Sequence, residues 1–340
     1  MAVSTQSNLI HPALLVRLAD GELHSGEDLA VDLGVSRAAI WKGVEKLRAE
    51  GIGVLSQARR GYRLAEAVDL LDAASIRAAI DARRGAHLRT LQVLFTVDST
   101  NTRLLAAAPP PFATADVCLC EIQSAGRGRR GRRWIAPFGS SIALSLAWTF
   151  PDTVRNLPAL SLAVGVAVSR ALERLGAVGI ALKWPNDIWF QDRKVGGVLI
   201  ELRAEAGGPA FVVIGIGLNV APSPAARREF EQMGVRAAAI ADACARPPLR
   251  NATVGVLLDE LLSMLLRFER DGFAPYRDAW AGLDALRNRP VQLLIGERAI
   301  AGIARGVDED GALLLDADGR TAKFVSGEVS LRLTADAVDT

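Results

Sequence analysis

The residues best equipped for chemistry are five arginines interleaved with three glycines in Gly126-Arg127-Gly128-Arg129-Arg130-Gly131-Arg132-Arg133, closed by Trp134. This stretch cannot form core, because arginine is almost never buried unpaired and closely spaced glycines favour a loop over helix or strand. It offers guanidinium forks and exposed backbone N–H groups, which suit phosphate or carboxylate oxygens. Gly126, Gly128 and Gly131 spell Gly-x-Gly-x-x-Gly, yet Arg132 to Pro137 do not open the amphipathic helix that a dinucleotide site requires. Direct nucleic-acid binding is the competing use of such a loop. Its place between two apolar strands favours an active-site flap.

Further polar groups fall at predicted strand ends. Ser99, Thr100 and Asn101 follow the alternating run Leu91 to Val97, and Gln123 ends a strand from Asp116. One of the short polar side chains could cap the next helix, but capping needs only one. Lys183, Asn186, Asp187 and Lys194 come later, with Gly196, Gly197, Gly215 and Gly217 where a ligand can approach bare backbone. Cations, amides and a single carboxylate suit the joining of a carboxylate to a nucleotide α-phosphate, since positive charge offsets the repulsion of two anions and stabilises charge developing at phosphorus. Asp187 could help hold Mg²⁺ on a triphosphate, and Trp134 could stack on adenine. The isolated His11, His24 and His87 give no zinc spacing, and neither a nucleophile elbow nor a Walker loop is present.

The elements that must position these residues are legible in the patterning. At 340 residues, half of them hydrophobic, the chain should form two or three domains with real cores. Net charge is only +2, so any nucleic-acid surface must be local. Residues 9–18 and Gly26 to Leu33 read as helices, and Gly34 as a turn. Ser36 is positioned to cap a third helix with Ile40, Val44 and Leu47 on its apolar side and Arg37, Lys42, Lys46 and Arg48 opposite. Two strand-like runs around Arg59-Arg60 complete a winged helix-turn-helix over 1–65, with Ser36, Arg37, Trp41, Lys42, Lys46, Arg59 and Arg60 as DNA-binding candidates. A three-helix interaction module with a solvated basic face is the alternative.

Residues 66–75 read as a linker and 76–285 as one mixed α/β domain, in which 222–250 is a mobile segment with a short helix. Short alternating runs in 286–336 predict a small β-barrel. Cys118, Cys120 and Cys244 fit reduced thiols in a cytoplasmic protein. The N-terminus lacks the pattern of a secretion signal, and the longest apolar runs fall short of the roughly 18 residues of a membrane span.

Taken together, Gly126 to Gly131, Lys183-Trp184-Pro185-Asn186-Asp187, Lys194-Val195-Gly196-Gly197-Val198-Leu199, Gly215-Ile216-Gly217-Leu218-Asn219 and Asp98-Ser99-Thr100-Asn101 resemble the signature of biotin protein ligases. With the winged helix in front, residues 9–335 resemble the bifunctional bacterial form that is both ligase and biotin operon repressor. The resemblance implies an α+β chain whose catalytic sheet is like that of class II aminoacyl-tRNA synthetases and whose C-terminal barrel is SH3-like. It implies ATP and biotin as substrates, Mg²⁺, a biotinyl-5′-adenylate intermediate, a lysine of biotin carboxyl carrier protein as acceptor, operator DNA, and a homodimer once the adenylate orders the loops.

By the same resemblance Ser99, Thr100, Asn101, Gln123, Arg127, Gly128, Arg129, Lys194, Gly196, Gly197, Gly215 and Gly217 contact biotin. Arg132, Trp134, Asn186 and Asn219 face ATP or adenylate. Lys194, Arg129, Lys183 and Asp187 serve catalysis, Asp187 also meeting the metal. Arg133 stands where the family often has lysine and Gly196 where it often has alanine, changes that keep charge and small size. Two readings compete with a bifunctional ligase: a lipoate ligase, and a biotin-sensing transcription factor without useful catalysis.

Overall fold

The computed structural model describes residues 10–151, 157–204, 208–232, 236–296, 298–325 and 329–333. Residues 1–9, the start of the segment 1–21 on which the expectation of no secretion signal rests, and 334–336, the end of the expected barrel, lie outside them. The chain divides into a unit ending at Leu71 and a second beginning at Asp72.

In the first unit α1 (Ile10–Leu18), α2 (Gly26–Asp32) and α3 (Arg37–Ala49) precede a hairpin of β1 (Val54–Gln57) and β2 (Gly61–Leu64). Ser25 caps α2 by accepting from Asp28 N, and Ser36 caps α3 by accepting from Ala39 N. Between them Gly34 takes φ +63°, where a Cβ is strained. Leu14, Leu15, Leu18, Ile40, Val44 and Leu47 close the core. Gly61 lies so near the backbone of His24 that a Cβ would stand 1.9 Å from its carbonyl oxygen, and His24 bridges to Tyr62 as a third short strand. At the ends of the expected linker, Val68 N donates to Ala19 O in the first unit, while Asp72 caps the first helix of the second.

The second unit starts with α4 (Ala73–Ala78) and α5 (Ala82–Gly85), followed by β3 (Leu88–Val97), α6 (Thr100–Leu105), β4 (Ala115–Gln123) and β5 (Ser141–Phe150). After α7 (Leu160–Arg174) come β6 (Ile180–Lys183), β7 (Asp187–Phe190), β8 (Arg193–Ala204) and β9 (Ala210–Asn219). These strands form one mixed sheet in the order β3-β4-β5-β9-β8-β7-β6, with only β3 and β4 parallel. Four helices follow, α8 (Pro224–Gln232), α9 (Ile240–Ala243), α10 (Arg250–Asp271) and α11 (Ala274–Leu283).

Every residue of β5 is buried, so the sheet is covered on both faces there. Alternation assigns the faces. Ala147 packs with Leu104 of α6, while its neighbour Trp148 meets Glu269 and Phe150 meets Phe268, both of α10. Ser145 and Ala143 therefore share the α6 face, as do their cross-strand partners Gly215 and Gly217.

The chain ends in a five-stranded antiparallel sheet in the order β13-β12-β11-β10-β14, from β10 (Pro290–Ile295), β11 (Arg298–Val307), β12 (Leu313–Ala317), β13 (Arg320–Phe324) and β14 (Val329–Leu333). It belongs to the second unit, and Trp184 Nε1 donates to Gly311 O across the join, 3.1 Å. Within 222–250, expected to be mobile, Arg236 O accepts from Lys194 N, Ala238 N donates to Lys194 O and Ala241 N to Val220 O. Among the described residues no helix is long and apolar enough to cross a membrane.

Candidate functional site

A cavity of about 340 Å³ opens on the α6 face of the large sheet. It brings together Ser99, Thr100, Asn101, Gln123, Arg127, Gly128, Arg129, Arg132, Trp134, Lys183, Asn186, Asp187, Lys194, Gly197, Gly215, Gly217 and Asn219, residues spread over more than a hundred positions. Gly196 is the exception. One residue from Gly197, it pairs with Leu218 and points to the opposite face, where a Cβ would stand 2.4 Å from Gly217 O and 2.5 Å from Leu218 Cδ2. Its small size serves the close packing of neighbouring strands.

The arginine loop is folded on itself. Gly128 N donates to Arg132 O and Trp134 N to Gly126 O, so the residues form a narrow hairpin whose tip, Arg129–Gly131, is a 3₁₀ turn with Arg130 and Gly131 at positive φ. Gly126 is required at the base, where a Cβ would stand 2.6 Å from Trp134 O. The Trp134 ring lies against the bare backbone of Gly217, with no room for a side chain. Its buried Nε1 has no hydrogen-bond partner. Arg129 donates to Asn186 Oδ1, 3.2 Å; burial lowers its pKa and the nearby Asp187 carboxylate partly restores it. An anion entering here meets a partly desolvated guanidinium.

At the opposite side of the cavity Ser99 caps α6, as one of the short polar residues must. The others do different work. Gln123 Oε1 accepts from Thr100 N, 2.9 Å, Ser145 Oγ stands 2.7 Å from Thr100 Oγ1 and 2.5 Å from Asn101 Oδ1, and Asn101 lies on Gly215. Arg127, expected to face the ligand, donates to Glu201 Oε2 (3.1 Å) and Thr102 Oγ1 (3.0 Å). Lys194 Nζ donates to Asp187 Oδ1, 2.5 Å, and stands 6.0 Å from the Trp134 ring. The Lys183 ammonium lies 4.4 Å from the Trp189 ring centre, a cation–π contact. Asn219 Nδ2 is committed to Ala238 O, and Asn186 Nδ2 to Val198 O.

Sequence reading missed Glu201, Ser145, Phe230 and Leu331. Glu201 was within reach: Gly197, Leu199 and Glu201 alternate on one strand and share its face. Phe230 and Leu331 reach the cavity wall from α8 and β14 by tertiary folding alone.

On the first unit, Arg37, Trp41, Lys42, Lys46, Arg59 and Arg60 are all exposed. Arg48 instead donates to Val54 O, Glu45 and Ser56 Oγ, tying α3 to the hairpin. Ser36 uses its oxygen for the cap and keeps its proton for another acceptor.

The model of the biotin/lipoate A/B protein ligase family matches residues 94–219, an HTH domain model matches 13–63, and the biotin protein ligase C terminal domain model matches 288–332. The bifunctional ligase/repressor BirA of Escherichia coli (strain K12) is 41% identical over 96% of this chain and 98% of its own length. That of Bacillus subtilis (strain 168) is 32% identical over 92% and 95%. Among solved structures, the biotin protein ligase from Aquifex aeolicus in complex with biotin and ATP superposes with a TM-score of 0.61, at 29% identity, over 72% of this chain and all of that one.

Proposed function

The chain belongs to the bifunctional biotin ligase/repressor family, a biotin protein ligase with a helix-turn-helix repressor domain, and from that premise we propose how its residues divide the work. Biotin and ATP are its substrates. A biotin carboxylate oxygen attacks the α-phosphorus and the bond to pyrophosphate breaks, giving biotinyl-5′-adenylate. A lysine amine of biotin carboxyl carrier protein then attacks the acyl carbon, loses a proton and releases AMP.

The observation that carries this reading is the Lys194–Asp187 pair in the cavity wall, which the arginine hairpin also lines. Lys194 and Arg129 hold the carboxylate against the α-phosphate and stabilise the charge that grows on its oxygens. Lys183 leaves the Trp189 ring for a phosphate. Ser99, Thr100, Asn101, Gln123 and Arg127, with Gly128, Gly197, Gly215 and Gly217, form the biotin end. Trp134, Arg132, Asn186 and Asn219 form the nucleotide end.

Asp187 is a single carboxylate already bonded to Lys194, and among the described residues no group of three His, Cys, Asp or Glu gathers nearby. That donor set fits Mg²⁺ arriving with ATP, held mostly by phosphate oxygens, which would screen the triphosphate charge. Arg37, Trp41, Lys42, Lys46, Arg59, Arg60 and Ser36 contact operator DNA, and adenylate promotes a homodimer. The large sheet is read as class II aminoacyl-tRNA-synthetase-like, the C-terminal sheet as an SH3-like barrel, and the thiols of Cys118, Cys120 and Cys244 fit a cytoplasmic setting.

The test is pyrophosphate release on mixing the full chain with biotin and Mg-ATP, followed by labelling of a carrier domain. Adenylation of lipoate or octanoate with none of biotin overturns the substrate assignment.

A further inference from the structure

Glu201 lies outside the cavity wall, yet its Oε2 accepts from Asn101 Nδ2 at 2.8 Å and from Arg127 at 3.1 Å. We infer that Glu201 is a positioning residue that fixes the hydrogen-bond polarity of the biotin end, so that Thr100 presents a lone pair to a ligand N–H. The inference rests on the biotin reading above. An ionised carboxylate only accepts, so Asn101 must turn its NH₂ group toward Glu201 and its Oδ1 toward Ser145. Ser145 Oγ, 2.5 Å from that oxygen, must then donate to it. A hydroxyl has one proton, so at the 2.7 Å contact Thr100 must donate to Ser145, the longer 3.3 Å contact with Gln123 Oε1 being the only other use for that proton. Thr100 thus has no proton left for the ligand, and its remaining lone pair selects a donor such as a ureido N–H. Gln123 Oε1, engaged by Thr100 N, keeps the same acceptor character. A dithiolane or alkyl chain, without N–H, gains nothing from this arrangement. The same carboxylate holds Arg127, at the root of the arginine hairpin, to the sheet.

The test measures biotin and lipoate binding to the full chain by calorimetry for wild type, Glu201→Gln, Ser145→Ala and the double variant, with melting temperatures as a fold check. Glu201→Gln frees Asn101 to flip, so biotin affinity should fall roughly tenfold, in line with loss of a charge-assisted hydrogen bond, while lipoate binding stays unchanged. Glu201 and Ser145 do not touch, but both act through Asn101. Their effects should therefore be non-additive, the double variant binding biotin about as well as the weaker single one. Equal losses for both ligands, or additive effects, would assign Glu201 a merely structural role and overturn the inference. Failure of wild type to bind biotin would overturn the biotin reading and this inference together.

Discussion

At the scale of single residues, the cavity commits most of its polar side chains before any ligand arrives. Lys194 is held by Asp187, Arg129 by Asn186, and Asn219 by the Ala238 carbonyl. Binding at these groups therefore exchanges partners, which limits the reorganisation needed during reaction. Lys194→Ala should slow single-turnover adenylate formation by roughly two orders of magnitude, read as the rate of pyrophosphate release. A near-normal rate removes Lys194 from the mechanism. Gly217 has a different duty, seating the Trp134 ring. Gly217→Ala should push the ring away and raise the KM for ATP roughly tenfold while the biotin Kd changes far less, the two being separable by binding without nucleotide. Equal effects on both ligands would mean that Trp134 does not face the nucleotide.

Individual elements are set by contacts that local sequence does not announce. The Glu121–Arg250 pair joins β4 to the first turn of α10 with both side chains almost fully buried, and Arg250 also donates to Ser141 O. Arg250→Ala would leave the carboxylate buried beside a void, and urea unfolding should show a loss of about 3–5 kcal/mol. Asp284, between α11 and β10, supplies a pH dependence. Burial pushes its carboxyl up to about 6, although Leu286 N donates to it. Because the folded state holds this proton more tightly than an ordinary Asp with a pKa of about 3.9, its contribution is fully present below that value and lost as pH rises toward 6. Asp284→Asn should raise stability at pH 7.5 by about 2 kcal/mol or less and flatten the decline across that window, both visible in melting temperatures measured against pH. An unchanged profile would show that the carboxyl is better hydrated than its burial implies.

Helices and strands were readable because their periodicities are local. Ile40, Val44 and Leu47 announce a helix, and Leu91 to Val97 a strand. The motif residues were equally legible, since each loop brings its chemistry with it. Strand facing was harder: Gly196 and Gly197 are adjacent glycines in one motif, and only the pairing register says that one lines the cavity and the other packs on Leu218. Buried charges such as Arg250 and Glu121, 129 positions apart, leave no spacing signal.

For the whole molecule, the two units set separate expectations. Deleting residues 1–71 should abolish binding to operator DNA in a gel-shift assay, while the remainder, which holds the entire cavity, unfolds in one cooperative calorimetric transition. Failure of that remainder to fold would show that the second unit depends on the first. Its own construction is strongly non-local. The wall that begins with Ser99 near the start of the large sheet is completed by Leu331 in β14, the last strand among the described residues, and Trp184 is held by the Gly311 carbonyl. During synthesis on a ribosome the arginine hairpin and Lys194 emerge long before that strand does. A nascent chain will thus display its reactive cations around an unfinished cavity until β14 has folded into place.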